Sequence, residues 1–464
     1  MSWTVAQLLE ATRGELLQGS EEIPVNAISS DTRTLKAGDC FVALPGENHD
    51  GHTFIPDAMA KGARVLLLSK AEMVSAPPPE SVLIRVPDTL FALGELARYH
   101  RGRFPIPLVG ITGSNGKTST KEMVASILGV ERKVHKNAGN FNNLIGVPLT
   151  LLLLQPQHQA AVIEMGINVF GEMQRLVEIC RPTVGLVTNI HPAHLEGLQS
   201  PERILHEKGR LLSSLSGEGL AVINLDDEHL RRFSQSLHCS TITYSHQDKS
   251  ADVYLDGPVE VADGLSRFTI RLGERSVPVR LAVIGAHQVQ NALAAAAIAY
   301  GMEVSHASIA EGLSRHLPVR QRMEIRRLQS GNVIVDDTYN ANPMSMLAAV
   351  RAVVAAGGGK RVIVVLGEMR ELGPDSAKLH REVGRQVGVS GVKQLITLGG
   401  LAMEMGAGAV ESGMPVEACH HAHNHEEIVE LLRSQGLTNA WILVKGSRGM
   451  TMERVVEGLI DSER

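Results

Sequence analysis

A glycine-rich segment at residues 112–118, Thr-Gly-Ser-Asn-Gly-Lys-Thr, has the residue types that bind phosphate. It follows an apolar run at residues 108–111, which predicts a buried strand, and precedes a helix predicted over residues 121–128. In such a loop, glycines let backbone N–H groups surround phosphate oxygens, and the helix N-terminus adds a favourable partial charge. Lys117 would reach the terminal phosphates of a nucleotide, and the Thr118 hydroxyl would bind magnesium. The segment therefore predicts a nucleotide site; the alternative is a glycine-rich turn that binds nothing.

The spacing of this segment departs from the usual phosphate-binding loop. The usual pattern requires a glycine at position 111, where this chain has Ile111, and the nearest glycine is Gly110. The loop is therefore a Gly-x-x-Gly-Lys-Thr variant. The residues that we expect to contact a nucleotide here are Gly113, Ser114, Asn115, Gly116, Lys117, Thr118 and Ser119.

Polar residues follow the apolar runs in the middle of the chain. Glu164 ends one run and His194 follows the next. Because ligands bind outside the carboxyl ends of parallel strands, we expect both side chains at the same sheet edge as Lys117, as magnesium or phosphate ligands. Taken singly, Glu164 could instead pair with a loop cation, and His194 could begin a helix. Lys208 lies on a helix predicted after His194, and its residue type alone predicts a solvated lysine.

Asparagines are concentrated in the loop at residues 137–148. Four of them fall within seven residues, which predicts either a loop that bonds to itself or a substrate-binding loop. A further asparagine, Asn291, lies on an alanine-rich helix predicted to end at Tyr300. Its amide could bond the edge of an adenine base; the alternative is a surface amide.

The N-terminal part offers a possible anion site at Ser30, Thr32 and Arg33. Two hydroxyls and a cation close together could hold a phosphate or a carboxylate. The alternative is an ordinary capped turn with a solvated arginine, and the residue types alone favour this alternative.

The length of 464 residues suggests three domains of an α/β protein. We place them at residues 1–104, 105–315 and 316–464. The third repeats the scheme of apolar runs that end in polar residues, as at 336–343 and 445–448. Two segments interrupt the scheme. Alternation at residues 251–284 predicts a short antiparallel insertion, and the histidine tract at 420–425 predicts a solvated loop.

Composition excludes several classes of protein. The formal net charge of −5 gives no basic surface for nucleic acid. The four cysteines are scattered, which favours isolated thiols in a reducing compartment. No apolar run approaches the ~20 residues of a membrane span, and the N-terminus lacks the pattern of a signal peptide. We therefore expect a cytoplasmic protein without membrane insertion, and we expect a monomer.

These segments together resemble the Mur ligases, the ATP-dependent amide ligases of peptidoglycan precursor synthesis, over nearly the whole chain. The loop at residues 112–118 is similar to the phosphate loop of that family, which has the same variant spacing and so accounts for Ile111. Other resembling segments are Glu-Met-Gly at 164–166 and Ala-His-Leu-Glu at 193–196 for magnesium, Gly-Ala-His-Gln-Val-Gln-Asn at 285–291 for adenine, and Ser-Asp-Thr-Arg at 30–33 with Asp-Gly-His at 50–52 for the UDP-sugar. The resemblance implies a UDP-sugar-binding domain, a central ATPase domain with a parallel sheet, and a Rossmann-like C-terminal domain.

The segment at residues 337–343, Asp-Thr-Tyr-Asn-Ala-Asn-Pro, distinguishes between branches of that family. It is similar to the Asp-Ser-Tyr-Asn-Ala-Asn-Pro of the branch that adds D-alanyl-D-alanine to UDP-N-acetylmuramoyl-tripeptide. The branch that adds the third peptide residue has a Tyr-Ala-His-Thr-Pro-type sequence there, which is absent from this chain. Further support comes from residues 367–373, His380 and residues 445–448.

The resemblance implies that ATP phosphorylates the terminal carboxylate of the tripeptide and that the amine of D-alanyl-D-alanine then displaces phosphate. It implies one Mg²⁺ on Thr118 and Glu164 and a second near His194. Lys117 would stabilise the transferred phosphoryl group, and Lys208 matches a family lysine that is open to carbamylation. Nucleotide contacts are implied for Asn291, Arg322 and Asp336 or Asp337.

The substrate residues follow from the same resemblance. They are Ser30, Thr32, Arg33, Asn140, Asn142, Asn143, Tyr339, Asn340, Asn342, His380, Lys445, Ser447 and Arg448. Alternative functions are the third-residue Mur ligase, a folylpolyglutamate synthase, and a nucleotide-binding switch without catalysis. The segment at 337–343 argues against the first two, and the set of Lys117, Thr118, Glu164 and His194 argues against the third.

Overall fold

A computed structural model describes residues 3–46, 49–74, 77–191, 200–262 and 264–462. The strands are β1 (Trp3–Thr4), β2 (Glu15–Gln18), β3 (Pro24–Val25), β4 (Ile28–Ser29), β5 (Cys40–Val42), β6 (Val65–Leu68), β7 (Val82–Arg85), β8 (Leu108–Thr112), β9 (Val134–Lys136), β10 (Ala160–Glu164), β11 (Val184–Val187), β12 (Leu220–Asn224), β13 (Ser240–Ser245), β14 (Val253–Leu255), β15 (Glu260–Ala262), β16 (Leu265–Leu272), β17 (Arg275–Leu281), β18 (Glu324–Arg327), β19 (Val333–Asp337), β20 (Val362–Gly367), β21 (Gln394–Leu398), β22 (Cys419–Ala422) and β23 (Trp441–Lys445).

The helices of the described residues are α1 (Val5–Thr12), α2 (Ile55–Ala60), α3 (Thr89–Gly102), α4 (Lys117–Leu128), α5 (Gly146–Leu151), α6 (Glu172–Cys180), α7 (Pro201–Ser213), α8 (Glu228–Ser234), α9 (Ala286–Gly301), α10 (His306–Arg315), α11 (Pro343–Gly357), α12 (Ser376–Gly388), α13 (Met403–Glu411), α14 (His425–Ser434) and α15 (Glu453–Asp461). The α/β class predicted from the sequence is therefore confirmed. The chain divides into two compact units, and each is described by itself. The first comprises Met1–Gly110, Arg132–Ile167 and Gly171–Val184; the second comprises Ile111–Glu131, Asn168–Phe170 and Gly185–Arg464.

The first unit contains a five-stranded sheet in the order β2-β7-β6-β5-β4. Strands β4 to β7 run parallel, and β2 is antiparallel to β7. The central strand β6 is an uninterrupted Val-Leu-Leu-Leu run because both faces of the sheet are covered. In the same unit β9 pairs in parallel with β10, which ends at Glu164.

The second unit contains part of a sheet that changes from parallel to antiparallel. Strands β12, β13 and β14 run parallel, whereas β14, β15 and β17 each pair antiparallel with β16. The antiparallel insertion predicted at residues 251–284 is thus confirmed. The alanine-rich helix α9 packs on α4, because its small buried side chains let the two helices approach closely.

A six-stranded sheet in the order β18-β19-β23-β20-β21-β22 forms the C-terminal part of the second unit. The strands β19 to β23 run parallel, and β18 is antiparallel at one edge. Buried aliphatic side chains cover both faces of this sheet. The register places Lys445, the last residue of β23, directly beside Asp337 at the end of β19. The carboxyl ends of these strands therefore present their polar residues together, as the sequence predicted.

The prediction that residues 420–425 form a solvated loop is wrong. Residues 419–422 form the edge strand β22, and His425 begins α14. The backbone of β22 pairs with β21, and His421 Nδ1 lies 3.0 Å from Thr397 Oγ1. The backbone N–H and C=O groups on the outer side of β21 need hydrogen-bond partners, and residues 419–422 supply them. The polar composition of the tract gives no sign of this pairing.

No helix among the described residues is long and apolar enough to cross a membrane.

The close packing of α12 and α13 gives a test of the fold. A Cβ at Gly408 would lie 2.0 Å from Arg381 O, whereas a Cβ at Gly406 on the same helix would meet no atom within 4 Å. We expect Gly408→Ala to lower the free energy of unfolding by about 1–3 kcal/mol through overpacking. The matched control Gly406→Ala should raise it by up to about 1 kcal/mol through helix propensity. Urea denaturation followed by circular dichroism measures both, and equal effects of the two variants would contradict this packing.

Candidate active site

Two glycines shape the loop between β8 and α4. Gly113 has φ 144°, and a Cβ there would lie 1.9 Å from Thr188 Oγ1. Gly116 has φ 82°, and a Cβ there would lie 2.3 Å from Asn291 Oδ1. Neither position has room for a side chain, and both backbone conformations favour glycine. The positive φ of Gly116 also starts α4 at Lys117, four residues before the predicted start.

Two lysines converge on the carbonyl groups of this loop. Lys117 Nζ donates to Gly113 O at 2.7 Å and to Ser114 O at 3.3 Å. Lys208 Nζ donates to Gly113 O at 3.1 Å, and its side chain is 1 % exposed. The prediction of a solvated lysine at position 208 is therefore wrong. Burial, and then the charge of Lys117, lowers the pKa of Lys208 well below its usual value.

The segment after β11 supports the loop from its other side, which sequence reasoning did not identify. Thr188 Oγ1 donates to Asn115 O at 2.6 Å, and the Asn189 amide oxygen accepts the Asn115 N–H at 2.9 Å. Ser114 exchanges two hydrogen bonds with the backbone of His191, at 2.8 and 2.9 Å. These residues follow an apolar run, so their position at a strand end was the available signal.

Asn291 belongs to the site. Only 8 % of the residue is exposed, its Nδ2 donates to Gln288 Oε1 at 3.2 Å, and its Oδ1 faces Gly116. The alternative of a surface amide is therefore wrong. The small residues of α9 bring this amide against the loop because α9 packs closely on α4.

Two side chains from the C-terminal part of the second unit reach the loop. Arg322 Nη2 donates to Thr118 Oγ1 at 3.2 Å, and its guanidinium lies 4.1 Å from the centre of the Tyr339 ring. Asn342 Nδ2 donates to Asn115 Oδ1 at 2.7 Å. Arg322 and Asn342 are thus brought to the predicted nucleotide site from more than 200 residues away in the sequence.

The adjacent carboxylates Asp336 and Asp337 have different surroundings. Asp336 accepts hydrogen bonds from the Thr338 hydroxyl at 2.6 Å and from the Thr338 N–H at 3.2 Å. Burial raises the pKa of Asp336 although these bonds oppose the rise. Asp337 Oδ2 pairs with Lys445 Nζ at 2.6 Å, and its Oδ1 accepts the Met323 N–H at 3.2 Å. Asp337, and not Asp336, is therefore bonded to the residues next to Arg322.

A partly buried histidine, to which the sequence assigned no role, lies near this pair. Burial lowers the pKa of His287 to about 4; Asp337 acts to raise it and Lys445 to lower it. His287 is therefore neutral at physiological pH. The sequence feature that could have identified His287 is its position in the segment at residues 285–291, which resembles the adenine-binding segment of the family.

In the first unit, asparagines surround Glu164. Asn137 Nδ2 donates to Glu164 O, and Asn137 Oδ1 accepts the Glu164 N–H, both at 3.0 Å. Asn142 Nδ2 donates to Glu164 Oε1 at 2.9 Å, and Asn143 Oδ1 accepts the N–H of Gly146 at the start of α5 at 2.8 Å. Asn140 is exposed. The loop thus bonds to itself, as one of its two predicted alternatives states, and it also orients the Glu164 carboxylate.

Three family models match the chain. They are the Mur ligase family catalytic domain at residues 24–101, the Mur ligase middle domain at 111–299, and the Mur ligase glutamate ligase domain at 321–448. A relative from Bacillus subtilis, UDP-N-acetylmuramoyl-tripeptide–D-alanyl-D-alanine ligase, is 33 % identical over 463 residues, covering 99 % of this chain and 98 % of its own. This chain belongs to the Mur ligase family.

Solved structures agree with the fold of this Mur ligase. MurF from Acinetobacter baumannii superposes with a TM-score of 0.88 at 29 % identity and covers 99 % of both chains. MurF from Thermotoga maritima in complex with ADP has a TM-score of 0.82 at 26 % identity, covering 94 % of this chain and 97 % of its own. The predicted three-domain architecture is that of the family, while the boundaries at residues 104/105 and 315/316 stay predictions.

The remaining C-terminal residues predicted to bind substrate each have a bonded partner within this part of the Mur ligase. Lys445 Nζ donates to Asn340 O at 2.8 Å, and Ser447 Oγ accepts the Arg370 N–H at 2.8 Å. Arg448 pairs with Glu453 at 2.8 Å on the surface.

His380 lies inside the C-terminal part of the second unit. It is fully buried, accepts the Met369 N–H at 2.9 Å through Nε2, and donates through Nδ1 to Ser376 O at 2.7 Å. Both ring nitrogens are thus engaged by backbone groups. In this structure His380 holds the segment after β20 and does not face an open surface.

The residues predicted to bind the UDP-sugar lie on a turn of the first unit. The Arg33 side chain is 86 % exposed and pairs with Asp31 at 2.7 Å, and the guanidinium lowers the pKa of that carboxyl. Thr32 O accepts a hydrogen bond from Lys61 Nζ at 2.9 Å, and Ser30 is partly exposed. The geometry is that of a capped turn with an exposed arginine, as the residue types alone favoured.

The predicted magnesium ligands are described in part. His194 and the segment at residues 193–196 lie outside the described residues. Within the part of the chain that the structure describes, no group of three or more His, Cys, Asp or Glu side chains suits a metal. The Thr118 hydroxyl and the buried Glu164 carboxylate are nonetheless oxygen donors, which Mg²⁺ prefers. Since Mg²⁺ keeps waters and substrate phosphates as its other ligands, each of these oxygens by itself is a suitable ligand.

The raised pKa of Asp336 predicts a pH-dependent stability. Because the folded carboxyl binds a proton more tightly than the unfolded one, the free energy of unfolding falls as the pH rises through this raised pKa. Asp336→Asn keeps the oxygen that accepts both Thr338 bonds and removes this titration. Unfolding measured from about pH 4 to about pH 8 should show the variant gaining stability relative to the native chain. The control is Asp375→Asn at an exposed site. If the difference in unfolding free energy between Asp336→Asn and the native chain does not change with pH, the prediction is contradicted.

Proposed function

We propose that this Mur ligase uses ATP to join D-alanyl-D-alanine to the terminal carboxylate of UDP-N-acetylmuramoyl-tripeptide. One observation carries the proposal. The segment that resembles the D-alanyl-D-alanine-adding branch, residues 337–343, is the segment that contacts the phosphate loop, through Asn342 and through Tyr339 beneath Arg322. The function of the Bacillus subtilis relative, which matches over almost the full length, supports the same assignment.

The chemistry proceeds in two steps. A carboxylate oxygen of the tripeptide attacks the γ-phosphorus of ATP; an O–P bond forms, and the bond to the ADP oxygen breaks. The neutral amine of D-alanyl-D-alanine then attacks the acyl carbon, a C–N bond forms, phosphate leaves with the carboxylate oxygen, and the amine loses a proton. The protein contributes by holding the reactants together and by placing cations where negative charge accumulates.

Three basic side chains of the second unit lie at the phosphate loop. Lys117 and Arg322 bond to the phosphate loop and stabilise the transferred phosphoryl group. Lys208 lies beside them with a lowered pKa, so that it holds more neutral amine than an exposed lysine. Because CO₂ reacts with the neutral amine, this environment favours carbamylation of Lys208, which would turn the cation into an anionic ligand. Asn291 and Asp337 contact the adenosine part of the nucleotide.

Magnesium, when bound, neutralises part of the phosphate charge and polarises the γ-phosphorus. Thr118 of the second unit and Glu164 of the first would each be an oxygen ligand for Mg²⁺, and His194 would serve a second ion. Asn142 holds the Glu164 carboxylate through one oxygen, so the rotamer is set before an ion arrives.

Substrate recognition is assigned to the remaining predicted residues. Ser30, Thr32 and Arg33 bind the UDP-sugar, and Asn140, Asn142 and Asn143 bind the muramoyl peptide. The peptide end and the dipeptide are bound at the C-terminal strand ends, by residues Tyr339, Asn340, Asn342, Ser447 and Arg448. His380 and Lys445, which were predicted with them, are buried and support this region without touching the substrate. A cytoplasmic location and a monomeric state complete the proposal.

Phosphate release from ATP tests this function. We expect release that requires both UDP-N-acetylmuramoyl-tripeptide and D-alanyl-D-alanine, with one amide product per phosphate. Release with UDP-N-acetylmuramoyl-dipeptide and a diamino acid would assign the third-residue reaction, and release with a folate and glutamate would assign a folylpolyglutamate synthase. Either result, or no release in folded protein that binds ATP, would overturn the proposed substrates.

A variant of the phosphate loop tests its catalytic role. Lys117→Ala removes the ammonium that neutralises the γ-phosphate, and we expect phosphate release to fall at least about 100-fold while the circular dichroism spectrum is unchanged. The matched control is Lys249→Ala, an exposed lysine of the same unit, which should retain full activity. Near-normal turnover of Lys117→Ala would refute the assigned role.

The magnesium role of Glu164 has its own test. Glu164→Gln replaces the carboxylate by an amide, whose oxygen can still accept the Asn142 hydrogen bond but carries no charge. The Mg²⁺ concentration at half-maximal activity should therefore rise roughly tenfold. Glu218→Gln, at an exposed site, is the control. A magnesium titration of Glu164→Gln that matches the native enzyme would rule the role out.

A further inference from the structure

Lys445 is a buried cation at the centre of the C-terminal sheet. It ends β23 between β19 and β20, and the register places it beside Asp337 on one side and Leu366 on the other. The residue is 3 % exposed. A charge removed from water in this way is costly unless it is paired and hydrogen-bonded. The bonds that Lys445 makes therefore indicate what it does.

The first connection of Lys445 runs to the loop that follows β19. Its Nζ donates to Asp337 Oδ2 at 2.6 Å and to Asn340 O at 2.8 Å. The ammonium thus ties two points of one loop to β23. That loop carries Asn342, whose amide donates to Asn115 of the phosphate loop at 2.7 Å.

The second connection passes through the Asp337 carboxylate. While Oδ2 pairs with Lys445, Oδ1 accepts the N–H of Met323 at 3.2 Å. Met323 has φ 54° and Gln321 has φ 60°, so two non-glycine residues in the left-handed region flank Arg322. Each costs about 1–2 kcal/mol and persists only where its surroundings hold it. The bond from the Met323 N–H to Asp337 holds one of these two residues. The Tyr339 N–H holds the other by donating a hydrogen bond to Gln321 O at 3.2 Å.

The two connections end at the same place. Residues 321–323 direct the Arg322 guanidinium to Thr118 Oγ1, and the loop after β19 directs Asn342 to Asn115. Both targets lie in the phosphate loop, and both paths start at the Lys445 ammonium. A single buried charge therefore supports both of the described contacts by which this part of the chain reaches the loop.

We propose that Lys445 is a positioning residue for ATP: through Asp337 and Asn340 it sets the conformations that aim Arg322 and Asn342 at the phosphate loop. This role replaces direct substrate binding by Lys445 and rests on the proposed function only in that ATP is the nucleotide. It predicts that loss of the ammonium acts on ATP as loss of Arg322 does, and that ATP affinity falls even when D-alanyl-D-alanine is absent.

Steady-state kinetics separate positioning from substrate binding. Lys445→Met keeps the length of the side chain and removes its charge. We expect kcat/KM for ATP to fall roughly tenfold, as for loss of one charged hydrogen bond, with the KM for ATP rising more than the KM for D-alanyl-D-alanine. Lys445→Arg, which keeps the charge, should recover part of the loss, and the exposed Lys393→Met is the control. An effect confined to the KM for D-alanyl-D-alanine would overturn the proposal.

A double-mutant cycle with Arg322→Met tests whether the two residues act together. If Lys445 works through Arg322 and Asn342, Lys445→Met should cost clearly less ATP affinity in the Arg322→Met background than in the native chain. Direct ATP titration by calorimetry gives these affinities without any peptide substrate. Full additivity would contradict the proposal, whichever acceptor the enzyme uses.

Hydrogen exchange provides a readout that needs no ligand. Lys445→Met should speed exchange of the Met323 amide several-fold, because its acceptor Asp337 loses the partner that holds it. Exchange in β20 and β21 should stay native, which also establishes that the variant is folded. If Lys445→Met does not fold, Asp337→Asn, which keeps an acceptor oxygen but weakens the ion pair, takes its place. Unchanged exchange at Met323 in a folded variant would overturn the proposal.

Discussion

The absence of space for a Cβ at residues 113 and 116 is the constraint on which the site depends. Thr188 packs against one glycine and Asn291 against the other, which restricts the conformation of the backbone between β8 and α4. In this conformation α4 starts at Lys117, and the Thr118 hydroxyl lies in the first helical turn. The glycines thus do more than permit a turn, because they let two neighbouring elements touch the loop and hold it.

Charge, and not only shape, is concentrated at this loop. Lys117, Lys208 and Arg322 all donate to its backbone or hydroxyl groups, and Lys208 does so from a fully buried position. Lys117 and Arg322 carry positive charge at this loop, which suits a site whose ligand carries several negative charges. The acidic partners nearby are themselves held, Asp337 by Lys445 and Asp336 by Thr338. The positive charges are already in place when a polyanionic nucleotide binds, so the protein needs little reorganisation.

The sequence predicted the elements well where local pattern decides them. Apolar runs that end in polar residues marked β8, β10, β19 and β23, and alternation of residue types marked the antiparallel insertion. Pattern failed where a distant partner decides. The polar tract at residues 419–422 became an edge strand because β21 offered it a backbone partner. The same holds for Lys208, since a lysine on an amphipathic helix does not reveal that its head is buried under a loop 95 residues away in the sequence.

Site residues divide in the same way. Lys117, Thr118 and Asn291 could be named from motifs because their motifs are local, and Arg322 and Asn342 from family resemblance. The supporting bonds could not be named. Nothing local in the sequence relates Thr188 to Asn115, or Lys445 to Met323 through Asp337, since these relations exist only once parallel strands are in register.

The central claim is that this fold activates a carboxylate by phosphorylation before an amine attacks it. The most direct measurement follows oxygen-18 placed in the terminal carboxylate of UDP-N-acetylmuramoyl-tripeptide. Mass spectrometry of the released phosphate should find one labelled oxygen for every amide bond formed. Phosphate without the label, formed while amide product accumulates, would contradict the acyl phosphate and with it this account of the site.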